Sequence, residues 1–171
     1  IYKFNKIRKP CFYLRNFVQF PRYILKDDEN SKSQPITTID SFLKSSNISI
    51  DYTIENVFQK DSRHINDADK KLLLDKIEAS NSQKILITHG TFTMEHTARF
   101  LGQMQLGKTI VLVGSFILGT LANTDAPFNL GYAISSLQFL KPDVYIAMNG
   151  QVFHWKNVSK NLELNKFERN D

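Results

Sequence analysis

The segment that most limits what this chain can fold into is residues 84–99, KILITHGTFTMEHTAR. Three consecutive apolar residues, Ile85, Leu86 and Ile87, lead through His89-Gly90-Thr91 into a stretch where Met94, Ala98 and Leu101 recur at helical spacing. A short run apolar at successive positions fits a strand covered on both faces, the situation of a parallel sheet. The turn that follows then delivers hydroxyls, Thr91 and Thr93, to a helix N-terminus. Amide N–H groups are unpaired there, so an anion or a developing oxyanion is favoured.

The same order of strand, turn and helix recurs along the chain. Residues 48–58 alternate Ile48, Ile50, Tyr52 and Ile54 before Val57 and Phe58, which suits a strand. Asn66 or Asp67 can cap a helix with Ala68, Leu72, Leu73 and Ile77 inward, and acids in its first turn oppose the helix dipole. A strand Thr109–Val113 ends at Gly114. Asp125 then caps a helix with Pro127 in its first turn and Leu130, Ala133, Ile134 and Leu137 inward, before a strand over residues 144–148. Such alternation predicts an α/β fold, a mostly parallel open sheet flanked by helices in a flavodoxin- or Rossmann-like three-layer arrangement. Four polar turns, Asp61-Ser62, His89-Gly90-Thr91, Gly114-Ser115 and Asn149-Gly150, follow strand ends. That edge of an open α/β sheet is where ligands bind.

Composition narrows the function classes. The 171 residues, 42% hydrophobic and 23% charged, suit one globular domain with a real core. No stretch approaches the roughly 18 apolar residues of a membrane span, and no secretory leader pattern is visible. The net charge of +5 is uneven: residues 1–26 hold seven Lys or Arg and no acid, leaving 15 bases against 17 acids in residues 27–171. Residues 1–26 therefore read as a divergent basic segment that could supply a first strand with basic flanks, and residues 27–171 as the α/β domain. Neither nucleic acid nor membrane is expected as a partner, and the single Cys11 suits a cytoplasmic setting.

Two motif-like features are set aside. Gly102 to Thr109 spells G-x-x-x-x-G-K-[ST], but a phosphate loop leaves a strand and opens a helix, whereas here a helix gives way to a strand. Gly102 is expected as a helix C-cap and Lys108 as a strand-edge lysine. His64, His89, His96 and His154 lack metal-ligand spacing, so no metal is expected, and His89 reads as an ordered turn residue.

Five segments, ITHGTFTMEHTARFL, IVLVGS, TDAPFNLGYA, YIAMNGQVF and NVSKN, occur in the order found in the asparaginase family of amidohydrolases. The chain resembles in particular the short members made of that family's N-terminal domain alone, from Asp61 to about Glu168 and more weakly over residues 27–60. The resemblance implies hydrolysis of the side-chain amide of asparagine, or of a small related amide, to the acid and ammonia. Thr91 matches the nucleophilic threonine and Lys160 the lysine that assists it. Asp61 and Ser62 match the segment holding the substrate's α-carboxylate, and Ser115 stands where the family usually has alanine. Gly90 and Phe92, on either side of Thr91, complete the expected substrate-binding set. Phe92 replaces an aspartate of the family pattern, and no Gly-Gly-Thr hairpin is present in the sequence. The expectation is thus an amidohydrolase of weak or lost activity, the alternative being an inactive asparaginase-like binding protein. No cofactor is expected, and the assembly expected is a homo-oligomer.

Overall fold

The computed structural model describes residues 42–58, 60–117 and 123–170, together with Ile39 and the backbone of residues 11–14. Eight strands are present among these: β1 (Cys11–Leu14), β2 (Thr53–Asn56), β3 (Lys84–Thr88), β4 (Thr109–Val113), β5 (Asp143–Met148), β6 (Gln151–His154), β7 (Val158–Asn161) and β8 (Lys166–Arg169). The α-helices are α1 (Asp67–Ala79), α2 (Met94–Gln103) and α3 (Ala126–Phe139), and residues 42–45 are helical as well. The first six strands form one sheet in the order β2-β1-β3-β4-β5-β6, and β7 and β8 form a separate antiparallel pair. β1 to β5 are mutually parallel, whereas β6 runs antiparallel to β5. The parallel α/β sheet expected from the alternation is therefore what forms, in the 2-1-3-4-5 order whose direction reverses between β1 and β3.

Burial explains why the middle strands take these places. All five residues of β4 and the central Ile85, Leu86 and Ile87 of β3 are buried, so layers cover the sheet on both faces. α3 packs across β3, β4 and β5, while α2 packs on β5 and meets α1. Met94, Ala98 and Leu101 of α2 and Leu130, Ala133, Ile134 and Leu137 of α3 are buried as their spacing requires. In α1 the buried residues are Leu73 and Ile77; Ala68 and Leu72, expected inward, are exposed. Leu74 takes the partly buried place beside them, because residues i, i+1 and i+4 of this helix face the core.

The helix ends follow from local chemistry. Asn66 caps α1 through a reciprocal pair of bonds with Asp69, whose backbone N–H donates to Asn66 Oδ1 and whose carboxylate accepts from the Asn66 N–H. Lys108 closes the other end by donating to the carbonyls of Ile77 and Ser80. Its role is therefore to cap a helix C-terminus, where a cation opposes the dipole. Gly102 lies inside α2 rather than capping it. A Cβ there would sit 2.3 Å from the Trp155 ring, so glycine lets the helix lie against that indole.

Two features went beyond the sequence-based expectation. Asn149 and Gly150 both have positive φ, 48° and 75°, and join β5 to β6 as a two-residue hairpin. The predicted strand over residues 48–58 pairs only at Thr53–Asn56, where the four residues of β1 provide a partner. Gly90 is buried, but the left-handed glycines among the described residues are Gly107 and Gly150. No helix among the described residues is long and apolar enough to cross a membrane.

Gly114, at the end of β4, makes the tightest functional turn: an added Cβ would lie 2.3 Å from the His89 carbonyl oxygen and 2.8 Å from Met94 Cε. Gly114→Ala is expected to destabilise by about 1–3 kcal/mol through overpacking. Gly131→Ala meets nothing within 4 Å inside α3, and should stabilise by roughly 0.5–1 kcal/mol through helix propensity. Urea unfolding midpoints of the two variants check both signs.

Candidate active site

The turn after β3 lies beside the point where strand order reverses, and its polar side chains find partners inside the protein. His89 is buried; its Nδ1–H donates to the Gly90 carbonyl at 2.6 Å, so Nε2 is left to accept from the Thr97 hydroxyl at 2.9 Å. A ring so engaged on both nitrogens orders the turn, as expected. Thr93, not Thr91, is the N-cap of α2, and its hydroxyl donates to the Ser62 carbonyl at 2.7 Å. That bond joins the β3 turn to the 3-10 turn Ser62–His64.

Thr91 is buried, and its Oγ1 accepts a hydrogen bond from Lys160 Nζ at 3.0 Å across 69 positions of sequence. Strand pairing explains why a lysine points inward. Lys160 lies directly opposite Phe167 in the β7–β8 pair, so the two side chains share a face. Phe167 is buried against Phe116 and Phe153, at centroid separations of 6.0 and 6.3 Å, which turns that face toward the core. The Lys160 backbone N–H also donates to Glu95 Oε2, fixing β7 to the first turn of α2.

The ammonium of Lys160 lies over two aromatic rings, 5.3 Å from the Phe92 centroid and 5.4 Å from that of Phe116. Burial pushes the Lys160 pKa below the usual lysine range, and the nearby Glu95 carboxylate opposes that shift without cancelling it. Lys160, Phe92, Glu95, His96, Leu162 and Arg63 line a cleft of about 350 Å³, with Thr91 beneath the lysine.

The remaining expected residues are arranged differently. Asp61 caps the 3-10 turn, and Arg63 holds its carboxylate with contacts of 2.6–3.2 Å; the hydrogen bonds from Arg63 keep its pKa below the ordinary carboxylate value. Ser62 is fully buried, and its hydroxyl has no hydrogen-bond partner among the described residues. Ser115 is half-buried at the end of β4, and Gly90 is buried; neither lines the cleft. Of the expected residues, Lys160 and Phe92 line the cleft and Thr91 is buried behind Lys160, held to its Nζ; Asp61, Ser62, Gly90 and Ser115 lie outside the lining.

Several contributors escaped the sequence reading. Asp125 lies at the N-cap position of α3, but its carboxylate reaches back to accept from the backbone N–H groups of Phe116 and Ile117 and from Asn129 Nδ2. Asn129, fully buried, also donates to the Gly114 carbonyl and accepts from the Asn149 N–H. One Asp/Asn pair, four residues apart on a helix, thereby ties the turns after β4 and β5 and places Phe116. That spacing was a readable signal. Glu95 and Arg63 gave none beyond their charge. No group of three or more His, Cys, Asp or Glu that could hold a metal exists among the described residues.

Taken together, these features are a doubly wound α/β sheet with a threonine hydroxyl and a lysine paired beyond the carboxyl end of β3. The family model for the N-terminal asparaginase domain matches residues 24–168. The chain belongs to the asparaginase family. It is similar to a glutaminase-asparaginase of Acinetobacter glutaminasificans, 36% identical over 94 residues that make up 53% of this chain and 28% of that protein. It is also similar to L-asparaginase 2 of Escherichia coli strain K12, 33% identical over 112 residues, 62% of this chain and 32% of that protein. Among solved structures, a probable cytoplasmic L-asparaginase from Campylobacter jejuni superposes with a TM-score of 0.74 at 26% identity, covering 95% of this chain and 53% of that one. The thermostable L-asparaginase from Thermococcus kodakarensis, at 24% identity and a TM-score of 0.77, shares the fold. The chain spans about a third of the curated relatives and about half of the solved ones.

A lysine whose pKa is lowered by folding leaves the unfolded chain holding more protons over the interval between its folded value and 10.5. Its contribution to stability therefore improves as pH rises through that interval and is least favourable below it. The melting temperature of Lys160→Met, measured relative to the unaltered protein, should be highest on the acid side of the folded lysine's titration and fall as pH rises through it toward 10.5. A relative melting temperature that climbs with pH would contradict the assignment.

Proposed function

We propose that the protein is an amidohydrolase of the asparaginase type, with Thr91 as nucleophile and Lys160 as the group that accepts its proton. The reading rests on the 3.0 Å contact between Thr91 Oγ1 and the Nζ of Lys160, a residue that lines the cleft. A threonine hydroxyl is a weak nucleophile until a base removes its proton, and a lysine qualifies only where its surroundings favour the neutral amine. Burial supplies that bias to Lys160.

In the proposed reaction Thr91 Oγ1 bonds to the amide carbonyl carbon while its proton passes to neutral Lys160 Nζ. The C–N bond then breaks, the nitrogen takes that proton, and ammonia leaves an ester on Thr91. Water attacks the ester, giving the free acid and restoring the hydroxyl. Family membership supports asparagine or glutamine as the amide tested first. The second reading, binding without turnover, draws on Phe92: a ring 45% exposed at the mouth of the cleft offers contact but no proton transfer.

Ammonia release from asparagine, glutamine and small amides decides between these readings. Thr91→Ala is expected to lower kcat/KM by at least about 10³-fold, and Lys160→Met by about 10²–10⁴-fold. The unaltered enzyme should gain activity with rising pH, with an inflection below the ordinary lysine value of 10.5. Turnover that survives Thr91→Ala would remove the mechanism. Absence of ammonia from every amide, with a ligand-induced rise in melting temperature, would leave the binding protein.

A further inference from the structure

Lys160 reaches the cleft on β7, a strand of four residues that pairs with β8 and stands apart from the main sheet. A two-stranded ribbon is marginally stable by itself, so an outside anchor is needed to hold its side chains in one place. Glu95, in the first turn of α2, is that anchor. Its Oε2 accepts from the Lys160 backbone N–H at 2.5 Å, across 65 positions of sequence, and 19% of its side chain is exposed. The carboxylate thus holds the backbone that carries the amine.

Glu95 therefore exerts two separable actions on the lysine. As an acceptor it fixes where the Lys160 backbone lies, and the 3.0 Å approach of Nζ to Thr91 Oγ1 depends on that place. As an anion it favours the ammonium form, against burial, which favours the neutral amine. An ammonium cannot take a further proton from Thr91, so the second action delays base behaviour to higher pH.

The other charged groups around β7 are placed differently. On α2, His96 is largely exposed, its Nε2 3.5 Å from Glu95 Oε1. Arg63 of the 3-10 turn is bonded to Asp61. On β8, Glu168 accepts from Asn161 Nδ2 and pairs with Lys166, while Arg169, opposite Val158, is exposed. Asp125 is bound to the N–H groups of Phe116 and Ile117. Glu95 combines a charge that bears on Lys160 with a direct hold on its backbone.

We propose that Glu95 is a positioning residue acting through Lys160: its oxygen holds the lysine at Thr91, and its charge restrains the lysine from serving as base until the solution is more alkaline. The rate effects rest on the amidohydrolase reading, but the action of Glu95 on the amine is measurable without turnover.

Three variants separate the two actions. Glu95→Gln keeps an oxygen for the Lys160 N–H and removes the charge, Glu95→Ala removes both, and Glu95→Asp keeps the charge but withdraws it by one methylene. In profiles of kcat/KM against pH, Glu95→Gln should move the rise in activity to lower pH and leave the plateau within about threefold of the unaltered protein. Glu95→Ala should lower the plateau by about tenfold or more, and Glu95→Asp should lower it without the acid shift of Glu95→Gln. Reductive methylation with formaldehyde and cyanoborohydride consumes neutral amines. Followed by peptide mass spectrometry at about pH 7.5, it should label Lys160 at least about twofold faster in Glu95→Gln than in the unaltered 171-residue chain, each relative to the exposed Lys141. Circular dichroism confirms folding, and Glu95→Gln with Glu95→Asp carries the test should Glu95→Ala unfold. An unmoved pH profile or unchanged Lys160 labelling in Glu95→Gln overturns the inference, as does an undiminished plateau in a folded Glu95→Ala or, failing that variant, in Glu95→Asp. If no amide releases ammonia, the catalytic reading falls and the labelling alone decides the inference. If Thr91-dependent turnover is present and the Glu95 variants match the unaltered protein, the catalytic reading stands and the inference falls.

Discussion

The constraint on which the structure depends is that β4 has no solvent face. Five successive buried residues in one strand require cover above and below, and in a parallel sheet the crossover segments provide it. That requirement sends the chain back to the same starting edge after each strand, so the turns leaving β3, β4 and β5 all emerge together. Polar groups gathered at that edge must find partners within the protein or in a ligand. Asp125 and Asn129 satisfy those of the β4 and β5 turns, and His89 with Thr97 satisfies those of the β3 turn. The Thr91 hydroxyl is served by a residue from outside the main sheet altogether.

Bringing Lys160 into that edge has a cost that sets its chemistry. Removing an ammonium from water costs several kcal/mol even after relaxation, whereas each cation–π contact returns about 0.5–2 kcal/mol. Two rings and one neighbouring carboxylate therefore offset the loss incompletely, which is the physical meaning of a lowered pKa. Were Phe92 and Phe116 both carboxylates, the ammonium would be held charged and its ability to take a proton would diminish. The aromatic enclosure favours the neutral amine over a tightly paired cation. The same enclosure tunes the lysine and reduces the stability of the fold at neutral pH.

The legible parts of this fold are those where one local rule acts without competition. The buried runs of β3 and β4, the Asn66 cap and the inward stripes of α2 and α3 each follow from the spacing of a few residues. Where two rules competed, the reading slipped. Leu72 belonged to an apolar cluster, but Leu73, Leu74 and Ile77 already filled the face that α1 turns inward. Asn149-Gly150 was read as a polar turn at a strand end and is also a hairpin, since β6 returns beside β5 and not across the sheet. In the site, Thr91 and Lys160 were named from resemblance, yet nothing local in NVSKN says that its lysine faces inward. That orientation comes from Phe167 on the opposite strand, whose own burial depends on Phe116 and Phe153. Long-range pairing of this kind leaves no trace in a window of ten residues.

The position of Thr91 relative to α2 bears on why it, and not Thr93, presents its hydroxyl to the lysine. A residue at the N-cap commonly turns its side chain onto the helix's own amide groups, which withdraws it from chemistry. Thr93 occupies that place but donates to the Ser62 carbonyl instead, so the start of α2 is fixed to the 3-10 turn bearing Arg63. Thr91, two residues earlier, is thereby held without serving as a cap, and its oxygen is committed to Lys160 alone among the described hydrogen bonds. The turn after β3 and the 3-10 turn are thus joined by one threonine-to-carbonyl hydrogen bond, which leaves the Thr91 oxygen to the lysine.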